Sequence, residues 1–236
     1  MLHRFKRMLA NKYEQLTEPL IRQALSKELH SELYNIAHEQ QRKALRETVE
    51  FVETELRDTP LFADRFKLLE HAVSCSKEGG LYCEFGVATG QTINFIATQT
   101  RATVYGFDSF QGLPEDWGQY MSKGSFQQSA LPEVRENVEL VVGLFADTLP
   151  RFLQQQLEGA SFLHIDCDLY SSTKTVLDAF RDRIGNGTVL VFDEYYNYPG
   201  WTRGEHLAFC EFISAHKRGW EYLGRTNSQQ LAVRIL

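Results

Sequence analysis

The stretch Tyr82-Cys83-Glu84-Phe85-Gly86-Val87-Ala88-Thr89-Gly90-Gln91-Thr92 constrains this chain more than any other. It reads as a short buried strand, a turn with small residues at Gly86, Ala88 and Gly90, and the start of a helix. So little side chain in the turn lets a ligand approach the backbone closely. Glu84 falls at the strand's carboxyl end, the edge at which doubly wound sheets bind ligands. A second strand, Thr103–Phe107, runs into Asp108, 18 residues beyond Gly90. A glycine turn followed by an acid about 20 residues on is a layout for gripping a ribose, whose two hydroxyls need an acceptor.

Glycine usage divides the chain. All 16 glycines lie at or after Gly79. Residues 1–78 are expected to form a helical N-terminal cap, with Leu45, Val49, Val52 and Leu56 on one stripe and Phe62, Phe66, Leu69 and Val73 on another. Thr59-Pro60 is a start signal for the second of these helices. Residues 79–236 are expected to form one α/β domain, a doubly wound, mostly parallel seven-stranded sheet. Its first five strands are placed at Leu81–Phe85, Thr103–Phe107, Val138–Val142, Phe162–Asp166 and Thr188–Asp193, apolar on both faces as covered parallel strands are. Helices are expected near Thr92–Thr98, Pro132–Asn137, Leu149–Leu157, Thr173–Ile184 and Glu205–Lys217. A closing pair, Glu221–Gly224 and Leu231–Ile235, is separated by turn-forming residues.

A net charge of −6 argues against a broad nucleic-acid surface. Cys75, Cys83, Cys167 and Cys210 make no C-x-x-C pair, so reduced thiols in a cytoplasmic protein are expected. No apolar run approaches the ~20 residues of a membrane span. Leu2, Phe5, Met8 and Leu9 beside Arg4, Lys6, Arg7 and Lys12 read as an ordinary amphipathic first helix, with contact to a membrane surface as the alternative. The apolar positions of the cap predict a homodimer or larger assembly.

Chemistry concentrates at two further strand ends. Phe162-Leu163-His164-Ile165-Asp166-Cys167-Asp168 and Val189-Leu190-Val191-Phe192-Asp193-Glu194 are apolar runs ending in acids. On neighbouring strands these ends lie about 5 Å apart. Asp166, Asp193 and Glu194 would then repel one another, and a hard divalent cation, Mg²⁺ by its oxygen donors, resolves the conflict. His164 is expected to be a core histidine bonded to backbone, while Asp168 has helix capping open to it.

These motifs resemble known families. Glu84 followed by G-x-A-x-G is similar to the first motif of class I S-adenosylmethionine-dependent methyltransferases. H-I-D-C-D-L-Y-S-S-T and V-F-D-E-Y resemble the metal-dependent sugar O-methyltransferases of the macrocin O-methyltransferase family. So do Tyr105–Pro114 and Gly143–Pro150, and the resemblance covers about residues 80–200. It implies that Glu84, Gly86, Ala88, Gly90, Asp108, Ser109 and Asp166 bind S-adenosylmethionine, with Asp108 on the ribose and Glu84 and Gly86 at the methionine end. It assigns Asp166, Asp193 and Glu194 to Mg²⁺ and makes Asp166 the catalytic base. Glu194 stands where that family has Asp, and Cys167 where it has Gly. The implied reaction is methylation of a small-molecule hydroxyl, on a sugar or other natural product. Tyr195, Tyr196, Tyr198 and Trp201, with Trp117 and Tyr120, are the expected acceptor-pocket aromatics, with packing of several of them against the helical cap as the alternative. Two other classes compete: a D-x-D glycosyltransferase or hydrolase using Asp166 and Asp168, and a non-catalytic protein of the same fold. The first leaves the glycine turn and Asp108 unexplained.

Overall fold

A computed structural model describes residues 17–23, 26, 34–118 and 121–236. The basic first residues and Tyr120, named above, lie outside the described residues. The chain divides into two compact units, residues 1–43 and 44–236. In the first, residues 17–23 are helical, and Arg22 pairs with Glu18 one turn back.

Helix α1 (Ile36–Glu55) begins where the Asn35 side chain accepts from Ala37 N at 3.0 Å and runs into the second unit. There Ala44, Thr48 and the following Leu56 are buried, whereas Leu45 and Val49 are 49% and 47% exposed. Of the expected stripe, Val52 and Leu56 meet the core while Leu45 and Val49 face outward. Small Ala44 and Thr48 take the inside, where the Thr48 hydroxyl accepts from Asn197 N. Helix α2 (Arg65–Cys75) starts at Asp64, not at Thr59-Pro60. Asp64 caps it by accepting from Lys67 N at 3.0 Å, while Phe62 N and Pro60 O pair with Arg225 and hold that segment extended. Such a cap contributes about 1 kcal/mol.

The remaining elements are β1 (Leu81–Phe85), α3 (Gln91–Gln99), β2 (Val104–Asp108), β3 (Val138–Val142), α4 (Phe145–Gln155), β4 (Ala160–Ile165), α5 (Tyr170–Ala179), β5 (Val189–Phe192), α6 (Glu205–His216), β6 (Trp220–Arg225) and β7 (Leu231–Ile235). They build one seven-stranded sheet in the order β3-β2-β1-β4-β5-β7-β6. Every pairing from β3 to β5 is parallel, and β7 runs antiparallel to β5 and β6. β1, β4 and β5 are buried along their whole length, as central parallel strands require.

Alternation divides the strand side chains between two apolar layers. Phe85, Phe107, Leu163 and Phe192 pack with Phe152, Val176 and Phe209 of α4, α5 and α6. Tyr82, Val104, Phe162 and Val191 pack with Leu68, Leu69, Ile93 and Ile96 of α2 and α3. By the same period of two, Glu84, His164 and Asp193 share the face covered by α2 and α3.

The expected helix at Pro132–Asn137 is absent, and that stretch is irregular until the turn before β3. Long-range bonds hold it so. The Asn94 side chain on α3 donates to Glu133 O and accepts from Arg135 N, both at 2.9 Å. The Asn137 amide donates to Ala97 O, Thr100 O and Ala102 O. Helix α4 begins at Phe145, four residues before the expected Leu149, and contains Pro150. Helix α5 likewise begins at Tyr170, ahead of the expected Thr173. No described helix is long and apolar enough to cross a membrane, and all four cysteines are free.

Candidate active site

The glycine turn leaves β1 at Gly86, which has φ +92°. A Cβ there would lie 1.7 Å from the carbonyl oxygen of Asp166, so only glycine lets these two strand ends touch. Ala88 follows at φ +44°, and Gly90, at φ +79°, caps α3 without a side-chain bond. Asp108 fastens the turn to β2. Its Oδ2 accepts from Val87 N at 2.8 Å and Ala88 N at 2.9 Å, and its Oδ1 from Phe110 N at 2.7 Å. An acid expected to face only a ribose therefore also shapes the loop that would hold the cofactor. The Ser109 hydroxyl accepts from Gln111 N.

Glu84 is fully buried beneath the turn and does not line the cavity described below. It is paired across β1 and β4 with His164, whose Nδ1 lies 2.8 Å from Glu84 Oε1. His164 therefore meets a carboxylate where backbone bonding was expected. Its Nε2 faces Asp193 Oδ1 at 3.7 Å, too long for a hydrogen bond, so the attraction there is Coulombic. Burial works against a charged imidazole, but Asp193 and Glu84 outweigh it and raise its pKa to about 10. Burial also pushes Glu84 up, against the opposing pull of His164.

Asp166, Asp193 and Glu194 each offer an oxygen within 4.8 Å of the others. Burial, then the charge of Asp193, holds Asp166 well above the ordinary carboxylate range. Burial, then Asp166, does the same to Glu194. Asp193 is also buried, yet His164, Arg65 and the Gln230 amide bring its pKa below the usual value. Asp193 Oδ1 and Glu194 Oε2 are buried without a hydrogen-bond partner. An all-oxygen donor set with unpaired buried oxygens fits a hard divalent cation.

Two further acids complete the cluster. Asp168 has φ +62° inside a tight turn closed by Leu169 N donating to Cys167 O, and it caps no helix. Such backbone costs ~1–3 kcal/mol and collects at functional sites. Burial, then Asp193 and Asp108, raises its pKa to about 6. Glu205, at the start of α6, was not foreseen. It is fully buried, accepts from Glu194 N at 3.2 Å, and burial followed by Asp168 drives its pKa well up. Its only sequence signal is an acid in the first turn of a helix, which usually means dipole compensation. The thiol of Cys167 lies 3.5 Å from the Thr173 hydroxyl.

A cavity of about 460 Å³ opens at this edge. Its lining includes Gly86–Thr89, Asp108, Ser109, Asp166, Asp168, Asp193 and Glu194, joined by Leu113, Phe126, Leu144 and Phe145. Among its described lining residues, Arg65 is the one cation. None of the described aromatics expected at an acceptor pocket is among these lining residues. Tyr195 and Tyr196 are each 1% exposed and Trp201 3%, packed with Phe51 of α1 and, for Tyr195, with Phe209. They are core residues, buried because α1 covers them. Tyr198 meets Trp117 edge-on, at 5.5 Å between ring centres.

Strand order, glycine turn and acid-lined cavity together define the class I S-adenosylmethionine-dependent methyltransferase fold. Residues 83–195 match the family model described as a methyltransferase domain, and the sheet around them has the class I methyltransferase strand order. No curated protein sequence matches it. Among solved structures, the calicheamicin methyltransferase CalS11 is 22% identical with a TM-score of 0.57, over 85% of this chain and 93% of that one. The O-methyltransferase NovP is 21% identical with a TM-score of 0.55, over 72% and 78%. An apo structure of CalS11, described as a TDP-rhamnose 3′-O-methyltransferase of calicheamicin biosynthesis, gives 22% identity and a TM-score of 0.50, over 85% and 95%. At these identities the likeness speaks for the fold.

Proposed function

We propose that this protein is an S-adenosylmethionine-dependent O-methyltransferase acting on a hydroxyl of a small molecule, a sugar or other natural product, with Mg²⁺ assistance. One observation carries the reading: three buried carboxylates from neighbouring strands lie within 4.8 Å of one another and line the same cavity as the glycine turn. The sugar-methylating CalS11 neighbour and the resemblance of the strand-end motifs support a sugar-like acceptor.

In this reading Gly86, Ala88, Gly90, Asp108 and Ser109 receive the cofactor, and buried Glu84, bonded to His164, supports the site from within the sheet. Asp166, Asp193 and Glu194 would hold Mg²⁺. The bound cation supplies positive charge that makes an acceptor hydroxyl more acidic, and the cofactor supplies an electrophilic methyl group. The chain's own work is alignment, exclusion of water and acceptance of the hydroxyl proton. Asp166 is the proposed base. A second reading gives that proton to Asp168, which lines the cavity, caps nothing, and stands outside the three-acid set. An Asp168→Asn variant with near-normal turnover would remove the second reading. A retained Asp168→Asn cofactor affinity with lost turnover would favour it.

The direct test is mass-spectrometric screening of sugar, phenol and natural-product acceptors with S-adenosylmethionine and Mg²⁺. Methylation of none, with cofactor binding intact, would favour the non-catalytic alternative. For Asp108→Ala we expect cofactor affinity to fall by about 1–3 kcal/mol in calorimetry, since three backbone N–H groups lose their acceptor. Unchanged affinity would detach Asp108 from the cofactor site. Four free cysteines suit a reducing cytoplasmic setting. Leu45 and Val49 are apolar surface that a second copy would cover, as expected of a homodimer formed through the N-terminal helices. A monomer by light scattering at micromolar concentration would end that assignment.

A further inference from the structure

We infer that Arg65 anchors the α-carboxylate of the bound cofactor, an assignment that rests on the S-adenosylmethionine reading above and extends it to a residue outside the motifs. The cavity holds five acids, Asp108, Asp166, Asp168, Asp193 and Glu194, against the single cation Arg65 among its described lining residues. A ligand that brings its own carboxylate into such a space is repelled nearly everywhere. Its carboxylate is stabilised where the guanidinium stands.

Position supports the same assignment. Arg65 is the first residue of α2, and its Nη2 donates to the Gln91 side chain at 3.1 Å, at the start of α3. That places the guanidinium beside the glycine turn and beside a helix N-terminus with no side-chain cap, both favourable to an anion. Its Nη1 lies 3.5 Å from Asp193 Oδ2, so the guanidinium bridges from the start of α3 to the acidic cluster. The side chain is one-third exposed, so it is accessible, and its guanidinium also lies 5.3 Å from the ring centre of Phe66. An arginine presents a planar fork that matches a carboxylate with two parallel hydrogen bonds.

The experiment compares two nucleosides by calorimetry in the absence of metal. S-adenosylhomocysteine carries the carboxylate, and its decarboxylated analogue keeps the amine but lacks that group. Wild-type protein should bind the first at least about tenfold more tightly. Arg65→Gln should weaken S-adenosylhomocysteine by about ten- to a hundredfold and the decarboxylated analogue by less than about threefold, with Arg65→Lys recovering part of the loss. Equal weakening of both ligands would reduce Arg65 to a structural role and overturn the inference, as would no weakening of either. Binding of neither nucleoside to the wild type would instead sink the cofactor reading itself, a distinguishable failure.

Discussion

An Asp166→Asn variant is expected to lose methyl transfer by about a thousandfold or more while keeping cofactor affinity within about tenfold. The reasoning begins with where the residue sits. Asp166 follows β4, its peptide N–H donates to Phe85 O, and its carbonyl rests on Gly86, so its backbone is fixed by the glycine turn. Asparagine preserves that backbone and most of the shape. It removes the negative charge that Asp193 and Glu194 would share with a cation, and with it the base. Metal assistance supplies several kcal/mol to such reactions, and each 1.36 kcal/mol is tenfold in rate. Chelation by excess EDTA should reproduce the loss in the wild-type protein, and Asp193→Asn should follow it. Full turnover in EDTA would remove the cation from the mechanism and leave Asp166 as a plain base. Normal turnover of Asp166→Asn would remove it from the chemistry altogether.

Gly86→Ala is expected to be the most destabilising single methyl that can be added at this edge. The alanine Cβ would sit 1.7 Å from Asp166 O at a φ of +92°, so steric and backbone costs coincide. Strain at such a φ is ~1–3 kcal/mol, and overpacking adds a similar amount. For a chain of this size that corresponds to a fall in Tm of about 5–20 °C. Cofactor binding should fail with it, because the turn and β4 would be pushed apart. Gly185 is the matched control, with nothing within 4 Å of its added Cβ and no left-handed φ. Gly185→Ala should stay within about 0.5 kcal/mol. Equal Tm values for the two variants would show that the contact between the strand ends is not tight.

The sheet was legible because its information is local. Each central strand is an apolar run closed by Glu84, Asp108, Asp166 or Asp193, and burial on both faces leaves no other pattern. What could not be read was the partner of each side chain across the sheet. The alternation that aligned Glu84, His164 and Asp193 on one face follows from register, which no single strand encodes. Periodicity likewise found apolar positions on α1 without saying which face a neighbour covers. Leu45 and Val49 consequently turned outward, and Tyr195, Tyr196 and Trp201 went into the core beneath Phe51. Thr59-Pro60 carried a start signal, but Asp64 was the acid placed to use its side chain on Lys67 N. Glu205 was missed as a member of the acidic cluster because it opens a helix, and Asp168, with capping open to it, was placed beside Asp166 only in the competing D-x-D reading. The tertiary structure gives them different work.

The absence of a helix at Pro132–Asn137, on the way from β2 to β3, has a consequence of its own. In most parallel crossovers the connecting helix is part of the core, and altering it disturbs the sheet. Here the described residues between β2 and β3 are held by polar clasps, Asn94 and Asn137 against α3 and the Ser171 hydroxyl donating to Glu115 on the α5 side, and by Phe110 and Val134 in the apolar layer. Gly124 N donates to Leu113 O, and Leu113 and Pro114 reach the cavity wall. Substitutions at exposed positions of this segment are expected to reshape the mouth of the cavity while the strands, the glycine turn and the acidic edge keep their positions.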